Sequence, residues 1–115
     1  KQRGGLFAKG RLLGIQFAEL FRDGLYYELA RHANGEAMRI KAALTELGVA
    51  FQVDSPTNQQ FIYLSEEQAD ALRTRCTYDE EWRREGRVAL RLCTSWATQP
   101  QAVDELIAAL REIIR

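Results

Sequence analysis

The sequence predicts an α+β domain in which helices pack on a small antiparallel sheet. Apolar residues recur every three or four positions in four segments, as in amphipathic helices, and alternate in the segments between them, as in strands. The order along the chain is α-α-β-β-α-β-β-α, which is typical of helices and a sheet in two layers. With 115 residues, the chain has the length of a single domain.

The first two helices are predicted over residues 12–21 and 25–47. In the first, apolar residues crowd most of the helix circumference, which indicates that something outside this chain covers it. Asp23 is expected to cap the second helix through its carboxylate, and Gly48 to end it in a left-handed conformation. Gly35 falls in the middle of the second helix and is interpreted as a tolerated helix glycine.

The remaining elements have clear start and stop signals. The predicted strands are residues 49–53, 60–64, 78–82 and 87–93. Pro56 fixes the turn between the first two strands, and residues 85–86 form the turn between the last two. Residues 65–68, Ser-Glu-Glu-Gln, have the spacing of a capping box at the start of a short helix. Pro100 begins the final helix, where its missing N–H does no harm.

Composition and charge exclude several classes of protein. The chain is 46% hydrophobic and 28% charged, which excludes a disordered chain. Its 16 basic residues balance 16 acidic ones, and this balance argues against nucleic acid as a partner. No apolar run approaches the roughly 18 residues of a membrane span, and no signal peptide is visible. We therefore expect a protein with no membrane partner.

The cysteines and the single histidine do not form a metal site. Cys76 and Cys93 lie far apart, without a CxxC pair, whereas a zinc site needs about four clustered ligands. Two reduced thiols in a cytoplasmic protein is our interpretation, and a disulfide between them is the alternative. The first residue is Lys rather than Met, so we expect a fragment or a processed product.

Composition alone shows no complete active site. The carboxylates at 79–81 are interpreted as a solvated face, His32 as a surface histidine, and Trp82 and Trp96 as packing residues. Arg91 is the exception, because it lies between two leucines in an apolar strand. Its charge must point to solvent, to a partner or to a ligand. A guanidinium can bind a carboxylate through two parallel hydrogen bonds, although an exposed strand face is the simpler explanation.

Four segments along the chain resemble one enzyme family. They are KQRGGLFAKGRLLGIQF, DGLYYELARHAN, TNQQFIYL and EGRVALRLCTSWATQPQAVDEL. Together they resemble the C-terminal part of L-threonine aldolases and related β-eliminating lyases, which are pyridoxal-phosphate enzymes of fold type I, the aspartate-aminotransferase fold. The best pieces are Arg-Leu-X-Thr-Ser-Trp at 91–96, followed by a helix carrying Val-Asp, and the opening Gly-Gly stretch. The resemblance covers nearly the whole chain.

The resemblance implies a division of labour between two domains. A large N-terminal domain holds the cofactor and the Schiff-base lysine, both expected upstream of residue 1. Residues 1–22, a basic glycine-rich segment and a helix, link to that domain, and residues 23–115 form the small C-terminal domain. By motif position Arg91 binds the substrate carboxylate. No catalytic residue is expected in this chain, so the chain alone is expected to be inactive.

Lys9 is the candidate cofactor-binding residue. The family's opening segment reads approximately Lys-X-X-Gly-Gly-Gly-X-Arg-Gln, and its last basic residue contacts the cofactor phosphate. Here Leu6 replaces the third glycine and the basic residue comes one place later, as Lys9. A surface lysine at the start of a helix is the alternative.

The resemblance also implies a reaction. The full-length protein is expected to cleave a small β-hydroxy-α-amino acid, L-threonine or L-allo-threonine, into glycine and acetaldehyde, with pyridoxal 5'-phosphate as electron sink. It is expected to be a homodimer or homotetramer. The alternatives are a β-eliminating amino-acid lyase of the same fold and a domain that acts only by association.

Overall fold

The computed structural model describes residues 10–114, with side chains from residue 14 onward. Its helices are α1 (Gly10–Phe21), α2 (Leu25–Glu46), α3 (Glu66–Arg73) and α4 (Pro100–Ile113), with a short 3-10 helix (Arg22–Gly24) between the first two. Its strands are β1 (Ala50–Phe51), β2 (Gln59–Ser65), β3 (Asp79–Arg84) and β4 (Arg87–Cys93). The predicted α+β class and element order are confirmed.

The four strands form one antiparallel sheet in the order β1-β2-β4-β3. β2 and β4 are the central pair and match over seven positions, from Gln59 opposite Cys93 to Ser65 opposite Arg87. β1 is only two residues long, shorter than the predicted 49–53. Val53 is exposed, so no packing holds the end of that segment in the ladder.

Alternation along β2 and β4 separates the sheet into two faces. The helix face carries the buried residues Ile62, Leu64, Val88, Leu90 and Leu92. They pack with buried residues of the helices, namely Ile40 and Leu44 of α2, Ala69 and Leu72 of α3, and Val103 and Leu110 of α4. The other face, called the open face below, includes Phe61, Tyr63, Asp79, Trp82, Arg87, Ala89, Arg91 and Cys93. The main hydrophobic cluster therefore lies on the helix side of the sheet, and Ala89, also fully buried, lies on the other side.

A one-residue bulge interrupts the pairing of β3 with β4. Glu80 lies opposite Leu90, and Trp82 lies opposite the adjacent Ala89. Glu81 is thus an extra residue on β3 with no partner of its own, which is the definition of a bulge. As a result Glu80 reaches the helix face, while Trp82 remains on the open face.

The turns that the sequence predicted are in place, with one exception. Glu85 and Gly86 both have positive φ, 54° and 76°, as a two-residue hairpin turn requires. Gly48 follows α2 with φ 73°. The predicted cap by Asp23 is wrong: Asp23 itself has φ 51° within the turn, and Gly24 is the residue that precedes α2, without a side-chain cap.

The capping box at α3 is confirmed in both halves. The Ser65 hydroxyl accepts a hydrogen bond from the backbone N–H of Gln68 at 3.1 Å, and the Gln68 side chain accepts one from the backbone N–H of Ser65 at 3.0 Å. α2 also runs through Gly35 without a break, as predicted, and a Cβ there would meet open space.

The end of α1 and the start of α2 expose a group of large apolar side chains. They are Ile15, Phe17, Leu20, Phe21, Leu25, Tyr26 and Tyr27. The aromatic rings contact one another, with Phe21 5.0 Å from Tyr26 between centroids, but no other described element covers them. This agrees with the expectation that a surface outside this chain packs on the first helix.

Candidate substrate-binding site at Arg91

Arg91 lies near the end of β4, on the open face, where it faces both neighbouring strands. Its backbone partners are Phe61 on β2 and Asp79 on β3. The side chain is half-buried, and its Nη2 donates a hydrogen bond to Oδ2 of Asp79 at 2.7 Å. This is the only hydrogen bond of the Arg91 side chain to any residue among 14–114.

The Arg91 guanidinium has N–H donors that make no hydrogen bond to the described residues. Its Nε is buried and has no hydrogen-bond partner among the described residues. The hydrogen bond that Arg91 donates to Asp79 raises the pKa of Arg91 above its ordinary value, so the group is charged at any physiological pH. A permanently charged guanidinium with unused N–H groups is suited to a carboxylate ligand.

A shallow depression of about 210 Å³ surrounds this side chain. It is lined by Thr77, Tyr78, Asp79, Arg91 and Cys93. The hydroxyl of Tyr78 donates to the backbone carbonyl of Ala69 at 2.8 Å and therefore serves the fold. Arg91 is thus the only cation that lines the depression.

The segment after Arg91 is held by hydrogen bonds to α2 and to the loop before β2. The buried Thr94 hydroxyl donates to the carbonyl of Ala33 at 2.6 Å. The Asn58 side chain donates to the carbonyl of Thr94 at 2.8 Å, and the Thr94 N–H donates to the carbonyl of Asn58 at 3.0 Å. These bonds fix the end of β4 and hence the backbone that carries Arg91.

His32 is not the surface histidine that the sequence suggested. It is half-buried, and its Nε2 lies 2.7 Å from the carbonyl of Thr98. Because a carbonyl only accepts, Nε2 carries the proton and donates. The residue joins α2 to the loop before α4, which is a structural role that no local sequence pattern indicates.

The carboxylates at 79–81 are all exposed, as the prediction of a solvated face has it, and two of the three also have cationic partners. Asp79 binds Arg91, and Glu80 accepts hydrogen bonds from Arg73 at 2.9 Å and from Arg83 at 3.0 Å. The two residues have different cationic partners because consecutive residues of a strand point to opposite faces of the sheet. Only Glu81 lacks a hydrogen-bonded partner among residues 14–114.

The two tryptophans differ. Trp82 packs on Tyr63, with ring centroids 5.8 Å apart, and lies under Arg84, so its predicted packing role is confirmed. Trp96 is 67% exposed, and its predicted packing role is wrong for the described chain. It lies in the turn between β4 and α4, beyond the reach of the core.

The two cysteines are the remaining candidate groups within the described residues. Cys76 and Cys93 are free thiols, and burial raises the pKa of Cys76. Lys9 lies outside the described residues. Residues 10–114 contain no group of three or more His, Cys, Asp or Glu side chains suited to a metal ion. In the same range no helix is both long and apolar enough to cross a membrane.

The described residues fit a substrate carboxylate better than they fit attachment of pyridoxal phosphate. Attachment requires a lysine with a free amine. Lys41 is the only lysine in residues 10–114, and its Nζ is held by the Asp54 carboxylate and the carbonyl of Ser55. Arg91, in contrast, has unused donors for an anion.

Comparison with solved structures first defines the class of domain. Two mutants of Rv3290c from M. tuberculosis share the fold, with TM-scores of 0.54 and 0.55, 16% identity, and alignments that cover 91% of this chain and 24% of theirs. This α+β domain therefore recurs as one part of larger proteins. No family model and no curated protein matches the chain.

A second similarity is much stronger. Threonine aldolase from Leishmania major matches 92% of this chain with a TM-score of 0.86 and 34% identity. The chain covers 31% of that protein, or about a third of its length. The resemblance to the C-terminal domain of threonine aldolases is thereby confirmed.

Proposed function

We propose that this chain is the substrate-binding C-terminal domain of a pyridoxal-phosphate-dependent lyase that cleaves L-threonine or L-allo-threonine to glycine and acetaldehyde. The observation that carries the proposal is the Arg91 guanidinium, half-buried in a depression, whose terminal nitrogens make one hydrogen bond among the described residues. The similarity to threonine aldolase supports the class of enzyme.

In this proposal Arg91 binds the α-carboxylate of the amino acid. Two parallel hydrogen bonds from a planar guanidinium fix both the position and the rotation of that carboxylate. They thereby set the orientation of the Cα–Cβ bond that breaks, which is catalysis by positioning. Pyridoxal phosphate, when bound, supplies the electron sink for the bonding electrons. Asp79 accepts a hydrogen bond from the same guanidinium.

The rest of the proposal concerns the whole protein. Residues 1–22 link residues 23–115 to a large domain that carries the Schiff-base lysine, so the chain alone is inactive. Lys9 contacts the cofactor phosphate. The full-length enzyme is a cytoplasmic homodimer or homotetramer, and the exposed apolar group on α1 and α2 is buried in it.

The test is Arg91→Lys and Arg91→Ala in the full-length enzyme. Lysine offers a point charge instead of a planar fork. Loss of a hydrogen bond between charged groups costs roughly 1.5–3 kcal/mol, so kcat/KM for threonine should fall about 10- to 100-fold in Arg91→Lys. Arg91→Ala should lose more, while the spectrum of the bound cofactor stays normal.

Arg87→Ala is the matched control. Arg87 lies on the same strand and the same side of the sheet, over the ring of Tyr63, and its loss should change kcat/KM by less than about twofold. An Arg91→Ala enzyme that works as well as this control would refute the carboxylate assignment. Measuring acetaldehyde against ammonia and pyruvate separates aldol cleavage from β-elimination.

A further inference from the structure

We infer that Asp79 is a positioning residue for substrate binding: its carboxylate holds Nη2 of Arg91 and aims the rest of the guanidinium at the substrate. Asp79 can act in this way only if Arg91 binds the substrate carboxylate, so its role rests on the proposed function. Asp79 itself does not touch the substrate.

The first observation is the placement of the pair. Asp79 and Arg91 are directly opposite each other on β3 and β4, and side chains in that relation lie on the same face within contact distance. The hydrogen bond between them is 2.7 Å long, typical of a charge-assisted bond. The bulge at Glu81 lies two residues away, and bulges commonly redirect side chains next to functional sites.

The second observation is what the bond leaves free. Asp79 takes a single hydrogen from Nη2, and each terminal nitrogen of a guanidinium carries two. Since Nε is buried, a ligand must approach the terminal edge, where Nη1 and the second hydrogen of Nη2 remain. The bond to Asp79 thus leaves donors at the terminal edge for a substrate carboxylate.

The third observation distinguishes Asp79 from its neighbours. Glu80 is turned to the helix face and engaged by Arg73 and Arg83. Glu81 adds to the local negative potential at Arg91 but has no hydrogen bond to it. Of three consecutive carboxylates only Asp79 restrains the guanidinium, and a restrained arginine loses less rotamer freedom when the substrate binds.

A competing role for Asp79 predicts the opposite change in substrate affinity when Asp79 is removed. If Asp79 occupied the donors that the substrate needs, its removal would tighten substrate binding. If it holds Arg91 in place, its removal weakens binding. Affinity for an amino acid therefore distinguishes the two roles directly.

The experiment is a titration of the full-length holoenzyme with glycine, followed through the absorption of the bound cofactor. Glycine carries the carboxylate but undergoes no cleavage, so Kd reports binding alone. Asp79→Ala should raise Kd roughly tenfold, less than Arg91→Ala, because the guanidinium stays but is no longer oriented. Asp79→Asn keeps an acceptor and should recover part of the affinity. Glu81→Gln, the matched control, should leave Kd unchanged.

The double variant Asp79→Ala/Arg91→Ala tests whether Asp79 acts through Arg91. Its Kd should equal that of Arg91→Ala alone, since coupled residues are non-additive. A lower Kd in Asp79→Ala, or an unchanged Kd with only a fall in Tm, overturns the positioning role. If Asp79→Ala fails to fold, Asp79→Asn takes its place. The positioning role is then overturned if Asp79→Asn has the wild-type Kd while the single variant Arg91→Ala has a raised Kd. A harmless Arg91→Ala instead refutes the proposed function.

Discussion

The two faces of the sheet are built from the same strands but differ in how far their side chains are buried and their charges paired. On the helix face Ile62, Val88 and Leu90 are completely buried, and the charged groups at the edge, such as Arg83, are paired with carboxylates of α3. On the open face the aromatic residues are half-buried and Arg91 keeps unused donors. The helix face is completed by this chain, whereas the open face has the polarity of a surface that receives a ligand or another domain.

The largest effect expected from this contrast is on stability. Leu90→Ala removes a fully buried side chain from the helix face and should lower the free energy of unfolding by about 2–5 kcal/mol. Cys93→Ala, three residues along β4 and exposed, should change it by less than about 0.5 kcal/mol. Urea unfolding followed by circular dichroism measures both. Equal losses of unfolding free energy in the two variants would contradict the proposed difference between the two faces.

A smaller effect is expected at the end of β4. Thr94→Val removes the hydroxyl that donates to the carbonyl of Ala33 and leaves that buried acceptor without its partner. The cost should be about 1–3 kcal/mol in the same assay. Thr45→Val is the control, because its hydroxyl bonds the carbonyl of Lys41 on an exposed helix surface. A Thr94 variant no less stable than this control would contradict the anchoring role.

The smallest effect should come from Arg83, whose partners are exposed. Its hydrogen bonds lower the pKa of Asp70 and of Glu80. A lowered folded-state pKa stabilises the fold above the unfolded value, about 4, and this contribution is lost as the pH falls through the folded value. Arg83→Gln should therefore lower Tm slightly at pH 7, and the difference should vanish toward pH 2. A difference in Tm that grows as the pH falls would contradict the stabilising role of the Arg83 hydrogen bonds to Asp70 and Glu80.

Much of the helix face could be predicted from the sequence, because burial there follows periodicity. The alternation of Val88, Leu90 and Leu92 is visible without a structure, and so is the capping box at Ser65. The cap at Asp23 was predicted wrongly because two left-handed residues in succession form the turn. The exposure of Trp96 depends on loop geometry, which leaves no periodic trace.

The candidate site could be predicted only in part. Arg91 stands out as a charge in an apolar strand, and the resemblance gave it a role. Its partner does not stand out: counting back along a regular ladder from the turn at Glu85 places Glu80 opposite Arg91, not Asp79. The shift comes from the bulge, which no residue type in 79–81 announces.

The bulge also bears on how chains of this kind should be aligned. The hairpin contains one residue more than its ladder needs, so a relative that lacks the position of Glu81 can pair its strands regularly and keep an aspartate opposite the arginine. A gap belongs at Glu81, and an alignment that puts it at or before Asp79 would separate Asp79 from its counterpart. What such a shorter hairpin gives up is the extra right-handed twist that a bulge adds. Length variation at this point would therefore alter the angle of approach to Arg91 without changing its partner.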